Sequence, residues 1–255
     1  MAKYRMATLF SGAGGLDTAF YESENFELVF ANDVLSAPAE SYSKNYSHKI
    51  VDADDFGKDT ELPAYVVGDI AKISDLTAIG KVDCMIGGPP CQDFSITRGG
   101  KGSGINPASN VKKKAEVSRG RLYMEYVRAV KSAEPRFFAF ENVPGLMSAN
   151  GGLAYETIVS DFASHGYKIL FKGIANATKV GVPQTRRRLI ILGARNGATE
   201  KLPDIEERVQ DILNGAGSLV SKYPICAMEA LEGKTVPELA AVSYTHLTLP
   251  TNREV

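Results

Sequence analysis

The chain has 255 residues, 44% of them apolar and 23% charged, which suits one large α/β domain or one domain plus part of another. No apolar run approaches the roughly 18 residues of a membrane span, and Met1-Ala-Lys-Tyr-Arg-Met6 lacks an export signal's apolar region, so a cytoplasmic protein with no membrane partner is expected. Cys84, Cys91 and Cys226 are too few and too odd in number for a disulfide framework, and a net charge of −1 carries no global nucleic-acid signal.

An apolar run at 5–10 ends in the glycine-rich turn Ser11-Gly12-Ala13-Gly14-Gly15, and Leu16, Ala19 and Phe20 follow at helical spacing. A second run, 26–31, ends at Asn32-Asp33, and a polar helix is expected near 37–45. Residues 65–67 lead into Gly68-Asp69-Ile70, and residues 82–86 into Gly87-Gly88-Pro89-Pro90-Cys91. Helical periodicity at 122–132 precedes a strand at 136–140 that ends in Glu141-Asn142-Val143-Pro144. A helix near 153–164 and strands near 168–173 and 189–192 complete the set. Apolar strands alternating with helices predict a mostly parallel, doubly wound sheet of the Rossmann-like kind, covered on both faces. Ligands bind such sheets beyond the carboxyl ends of the strands. Four strands here end in residues that a core does not need: Gly12–Gly15, Asp33, Cys91 and Glu141.

Past residue 194 the pattern weakens. Residues 204–213 could form a helix and 222–231 a second fragment, while 242–255 continues no pattern and reads as a non-native tail. The expected organisation is a catalytic domain over 1–196 and the start of a truncated second region over 197–241.

Small residues between a strand and a helix let a ligand approach the backbone, and an acid ending the next strand suits ribose hydroxyls. Alone, that pair indicates a nucleotide-like cofactor, with a nicotinamide cofactor open, although the third glycine of that fingerprint is missing. Cys91 is sharper. A cysteine held just past a strand by Pro89 and Pro90 sits at the rim, where a thiolate can act as a nucleophile. Cys84, inside its strand, reads as an inert small hydrophobe, and no second Cys or His near Cys91 has metal-ligand spacing.

Glu141 closes an aromatic strand, where a carboxyl is costly unless paired; beside a cysteine nucleophile it makes sense as a partner for a base. Gln184-Thr185-Arg186-Arg187-Arg188 places guanidinium groups that could bind phosphate or orient that carboxyl. Between Arg98 and Arg121 lie Lys101, Lys112, Lys113, Lys114 and Arg119 against the single acid Glu116, with interspersed glycines. Taken alone, that stretch is a solvated basic loop.

In this order, Phe10-Ser11-Gly12-Ala13-Gly14-Gly15, Gly68-Asp69-Ile70, Gly88-Pro89-Pro90-Cys91-Gln92-Asp93-Phe94-Ser95, Glu141-Asn142-Val143 and Gln184-Thr185-Arg186-Arg187-Arg188 resemble the DNA cytosine-5 methyltransferase family over residues 4–196. The resemblance implies the class I methyltransferase fold and S-adenosylmethionine as cofactor, with no metal. Cys91 would be the nucleophile, with Glu141, Arg186 and Arg188 completing the catalytic set. Phe10, Ser11, Gly12, Gly14, Gly15, Asp33, Asp69, Ile70, Pro90 and Leu122 would contact the cofactor. Gln92, Ser95, Arg98, Lys101, Arg119 and Gln184 would contact double-stranded DNA. It also implies a monomer whose functional partner could be a cognate restriction endonuclease.

Thr8 stands where many members have an acid, a mild departure, and Val34 is smaller than the aromatic common there, which implies weaker adenine stacking. A third is larger, since neither a target-recognition region nor a late Asn motif is visible after Asn196. Readings from other classes therefore stay open, namely a non-catalytic cofactor- or DNA-binding module, half of a split enzyme, or a tRNA cytosine methyltransferase.

Overall fold

The computed structural model describes residues 2–90, 122–182, 184–200, 202 and 204–214. Eight strands form one sheet: β1 Tyr4–Leu9, β2 Phe26–Asp33, β3 Lys49–Asp52, β4 Ala64–Val67, β5 Cys84–Gly87, β6 Phe137–Asn142, β7 Tyr167–Asn176 and β8 Arg187–Arg195. Their order is β3-β4-β2-β1-β5-β6-β8-β7. The described helices are α1 Thr18–Tyr21, α2 Ala39–Tyr46, α3 Leu122–Ala133, α4 Leu153–Ser164 and α5 Ile205–Asn214. None is long and apolar enough to cross a membrane. The described residues fall into two compact units, one of residues up to 173 with 189–202, the other of 174–188 and 204–214.

In the first unit, β1 pairs in parallel with both β2 and β5, β5 with β6, and β4 with β2 and β3. From β1 the chain moves outward one way to β2 and later, through β5, the other way to β6. Right-handed crossovers in opposite directions put the helices on opposite faces. Burial agrees, because Met6 to Leu9 and Leu28 to Asn32 are buried without alternation. One reversal was not in the expected pattern: β8 runs antiparallel to β6, with Phe137 opposite Ala194 and Asn142 opposite Leu189.

Two aromatic cores flank the sheet. Beside β1 and β2, the ring of Tyr42 on α2 packs with Tyr46 of the same helix at 4.4 Å and with Tyr65 of β4 at 4.7 Å. Beside β5 and β6, Phe138 stacks on Phe162 of α4 at 4.0 Å, while Tyr126 of α3 meets Phe140 and Phe162 edge-on. These rings need flat strands beneath them. A Cβ on Gly87 would come 2.7 Å from Tyr126 Cε2, and one on Gly193 would overlap Phe138 Cε1, so both strand positions must lack side chains.

Three local readings change. The helix expected after the glycine turn is a single turn with no buried residue, and Leu16 is 45% exposed before it. The inward position belongs to Asp17 instead, which Thr8 draws into the core through a 2.9 Å hydrogen bond. Strand β3 was not expected, since it is a four-residue edge strand with mostly exposed side chains. Strand β7 is longer at both ends than its apolar centre indicates.

Candidate active site at the carboxyl edge of the sheet

The register assembles the rim. Leu9 pairs with Gly87 and Gly87 with Phe140, so the segments that follow β1, β5 and β6 emerge side by side. On the other flank Asp33 pairs with Val67, bringing the ends of β2 and β4 level.

The turn after β1 is held from several directions. Phe10, half-buried, adopts φ +57°, a backbone conformation that costs a non-glycine residue about 1 kcal/mol or more and clusters at functional sites. Gly12 and Gly14 follow with φ +52° and +90°, which glycine adopts without that cost. Ser11 N donates to Asn32 O at 3.1 Å, and Gly14 N donates back to Ser11 O at 2.9 Å. Asp33 binds the turn directly, its Oδ2 accepting from Gly12 N and its Oδ1 from Leu35 N, both at 2.9 Å. No described atom lies within 4 Å of the point a Cβ would occupy on Gly12 or Gly15, so the outer side of the turn is open.

Asn32, buried beside Asp33, sends its side-chain amide to Val66 O and Gly68 O at 2.9 and 3.0 Å. This fixes the turn that presents Asp69, which is exposed, and Ile70, which is buried. Asp69 Oδ1 caps the following 3-10 turn by accepting from Ala71 N. From α3, Arg128 donates to Ile70 O at 2.8 Å while paired with Glu125, so this helix also steadies the segment. Leu122 begins α3 and is half-buried.

At the third rim segment, a Cβ on Gly88 would stand 2.9 Å from Glu141 Oε2, which places the carboxylate directly over the glycine. Asn142, 5% exposed, donates from Nδ2 to Pro89 O at 3.1 Å and accepts at Oδ1 from Val143 N at 2.9 Å. The Gly88-Pro89-Pro90 turn is therefore tied to the Glu141-Asn142 strand end, with Pro90 exposed. The tie by Asn142 was not anticipated. Its only sequence signal is a polar residue placed where alternation points into the core.

Cys91, Gln92, Ser95, Arg98, Lys101 and Arg119 lie outside the described residues. Gln184, Arg186 and Arg188 belong to the second unit, where Arg186 O accepts from Ala177 N at 2.9 Å and Arg188 Nη1 donates to Arg187 O at 2.8 Å. Gln184 and Arg186 are exposed and Arg188 is half-buried. Among the described residues, no three His, Cys, Asp or Glu side chains gather as a metal site would require. Cys84 is mostly buried, and burial, with Asp83 beside it, pushes its thiol up to about 11, as an unreactive cysteine should be.

Beneath the glycine turn lies a buried carboxylate with no counterpart at the rim. Burial pushes Asp17 up to about 6, against the lowering effects of the Thr8 hydrogen bond and the nearby Tyr42 hydroxyl, while Asp17 Oδ2 and that hydroxyl are buried without a hydrogen-bond partner among the described residues. Nothing in its local sequence distinguishes it from a solvated turn residue.

A mostly parallel sheet with β8 reversed, a glycine turn after β1 and acids at the ends of β2 and β6 make up the Rossmann-like fold of the class I methyltransferases. Among solved structures, the chain matches a protein described as an E. coli DNA modification methyltransferase encoded within a prophage, with a TM-score of 0.63, 22% identity, and coverage of 92% of this chain and 56% of that one. The Entamoeba histolytica methyltransferase EhMeth shares the fold at a TM-score of 0.52 and 20% identity, covering 76% of this chain and 53% of its own.

The family model for C-5 cytosine-specific DNA methylases matches residues 4–224, and the chain belongs to that family. It is 40% identical over 269 residues to the DNA (cytosine-5-)-methyltransferase M.ApeKI of Aeropyrum pernix, covering 94% of this chain and 55% of that one. It is 35% identical to the Type II methyltransferase M.FnuDI of Fusobacterium nucleatum, covering 75% of this chain and 47% of its relative. The chain thus spans about half the length of these relatives. Membership of a methyltransferase family implies a methyl donor.

Proposed function

We propose that the protein is the catalytic part of a DNA cytosine-5 methyltransferase that uses S-adenosylmethionine. The observation that carries this reading is the rim itself: an open glycine turn with an acid beside it, one strand away from a proline-fixed turn on which Glu141 lies. Its support in sequence is family membership over residues 4–224.

When bound, S-adenosylmethionine supplies an electrophilic methyl group. The residues around the turn suit it. Gly12 and Gly15 leave room for the methionine part, Gly14 shapes the turn against the Tyr46 ring, and Ser11, Pro90 and Leu122 lie at its margins. Asp33 receives the ribose hydroxyls on the lone pairs its two backbone bonds leave, Asp69 takes the adenine amine, and Phe10 and Ile70 pack against the base. The Cys91 thiolate adds to C6 of a cytosine flipped from the duplex, and the displaced π electrons make C5 a nucleophile that would take the methyl group, with the S–CH3 bonding pair leaving on S-adenosylhomocysteine. Glu141 holds N3 and the exocyclic amine, stabilising the charge that develops in the ring. Loss of the C5 proton to a base restores the double bond and expels Cys91 as thiolate. Arg186 and Arg188 support the pocket, while Gln92, Ser95, Arg98, Lys101, Arg119 and Gln184 contact the DNA, the cations mostly at phosphates. Residues 197–241 begin the region that reads the target, and a Type II restriction endonuclease is the fitting companion.

The test is a duplex carrying 5-fluorocytosine, whose C5–F bond cannot be broken as a C–H bond is, so the adduct persists. Incubated with S-adenosylmethionine, the chain should form a denaturation-resistant complex mapped to Cys91 and absent from Cys91→Ala. An adduct on Cys84 or Cys226, or undiminished in Cys91→Ala, would refute the mechanism. A complex forming only after a second chain is added would instead favour the split enzyme.

A further inference from the structure

Three phenols lie buried beneath the glycine turn: Tyr42 and Tyr65 are 0% exposed and Tyr46 is 6% exposed. A core of this shape could be filled by phenylalanine, and burying a hydroxyl costs free energy unless it is bonded. Two of these hydroxyls reach the turn. Tyr65 donates to Gly12 O at 3.1 Å, and Tyr46 donates to Gly14 O at 2.8 Å while lying 2.8 Å from Thr18 Oγ1.

At Gly12 both peptide groups are thus held by side chains, the N–H by Asp33 from β2 and the C=O by Tyr65 from β4. Gly14 rests on the Tyr46 ring so closely that a Cβ there would overlap Cε2. Gly14 O also accepts from Asp17 N, Thr18 N and Thr18 Oγ1, so Tyr46 is one support among several, whereas Tyr65 is the side-chain donor to Gly12 O. Burial, with Asp33 and Asp17 nearby, pushes the Tyr65 phenol far upward, so it remains a donor throughout the ordinary pH range.

We propose that Tyr65, assisted by Tyr46, is a positioning residue that sets the glycine turn against the methionine part of S-adenosylmethionine, without touching the cofactor. This rests on the cofactor assignment above. Asp69 and Ile70, which take the adenine with Phe10, stand on the turn after β4, so loss of the hydroxyls falls mainly on the end of the ligand that meets Gly12 and Gly14.

The experiment compares two ligands by calorimetry on the full chain: S-adenosylhomocysteine, which carries the amino-acid part, and adenosine, which lacks it. Tyr65→Phe keeps the ring and removes the donor. It should weaken S-adenosylhomocysteine about five-fold, the size of one ordinary hydrogen bond, and leave adenosine within about two-fold. Tyr46→Phe should move the same ligand by less, and serves alone if Tyr65→Phe fails to fold. Equal weakening of both ligands would mean a general structural role and overturn the proposal, as would no change in either variant. Failure of the unsubstituted chain to bind S-adenosylhomocysteine would overturn the cofactor assignment itself, and the proposal with it.

Discussion

Asparagine in place of Asp17 isolates the electrostatics beneath the glycine turn. The carboxyl is fully buried, and its rise from 3.8 to about 6 means that ionising it in the folded protein costs about 3 kcal/mol more than in the unfolded chain. Because the folded state holds this proton more tightly, the stabilisation is full below pH 3.8 and is lost as pH rises through 6. Asp17→Asn mimics the protonated form, keeping an oxygen for Thr8 and an amide facing Tyr42. Near pH 4 the two proteins should be about equally stable, whereas at pH 8 the variant should be more stable by about 2–3 kcal/mol. His48 acts oppositely: burial lowers it, so its contribution is present at high pH and lost as pH falls below 6.5, but both proteins share it. Urea unfolding of both chains at pH 4.5, 6 and 8 gives the difference directly. A difference that does not grow with pH, or a variant less stable at pH 8, would refute the reasoning.

Gly193→Ala drives a methyl group into the Phe138 ring and should cost about 2 kcal/mol, seen as a Tm lower by about 4–8 °C; an unchanged Tm would mean that the ring yields freely. At pH 8 roughly one Cys84 in a thousand should be thiolate, so peptide-resolved alkylation should leave Cys84 unmodified until denaturant is added. Asn142→Leu leaves Pro89 O without its donor, and the rate of 5-fluorocytosine adduct formation at Cys91 should fall about ten-fold or more with little change in DNA affinity. Asn32→Asp turns a carboxylate toward Val66 O and Gly68 O, so it should destabilise more than Asn32→Ala at pH 7, with the gap narrowing below pH 5.

Much of the architecture is legible because β1, β2, β4, β5 and β6 are apolar runs that stop abruptly at glycine, asparagine or acid. A buried parallel strand has no other reason to end that way. What escapes the sequence has identifiable causes. Lys49–Asp52 is an exposed edge strand whose composition matches a loop. The direction of β8 is invisible because alternation reads the same forwards and backwards. Asp17 sits between Leu16 and Thr18 in a turn, and only Thr8, nine residues earlier, makes its burial tolerable. The tyrosines under the glycine turn arrive from α2 and β4, at sequence distances where spacing carries no information.

Two strand ends share one construction. At Asn32-Asp33 and again at Glu141-Asn142, an acid and a buried asparagine are adjacent, and strand alternation turns them to opposite faces. Each asparagine gives its amide to carbonyls of the neighbouring strand end, Val66 and Gly68 in one case and Pro89 in the other. A parallel ladder leaves carbonyls unpaired just past its last rung, where the chains diverge toward the rim, and an unpaired buried carbonyl is costly. The asparagine satisfies those carbonyls and fixes the neighbouring turn, while the acid beside it meets another turn of the rim, Asp33 at Gly12 N and Glu141 over Gly88. One dipeptide thereby places a carboxylate at the rim and sets the position of the next segment, and this coupling lets turns from four separate strands keep a common geometry.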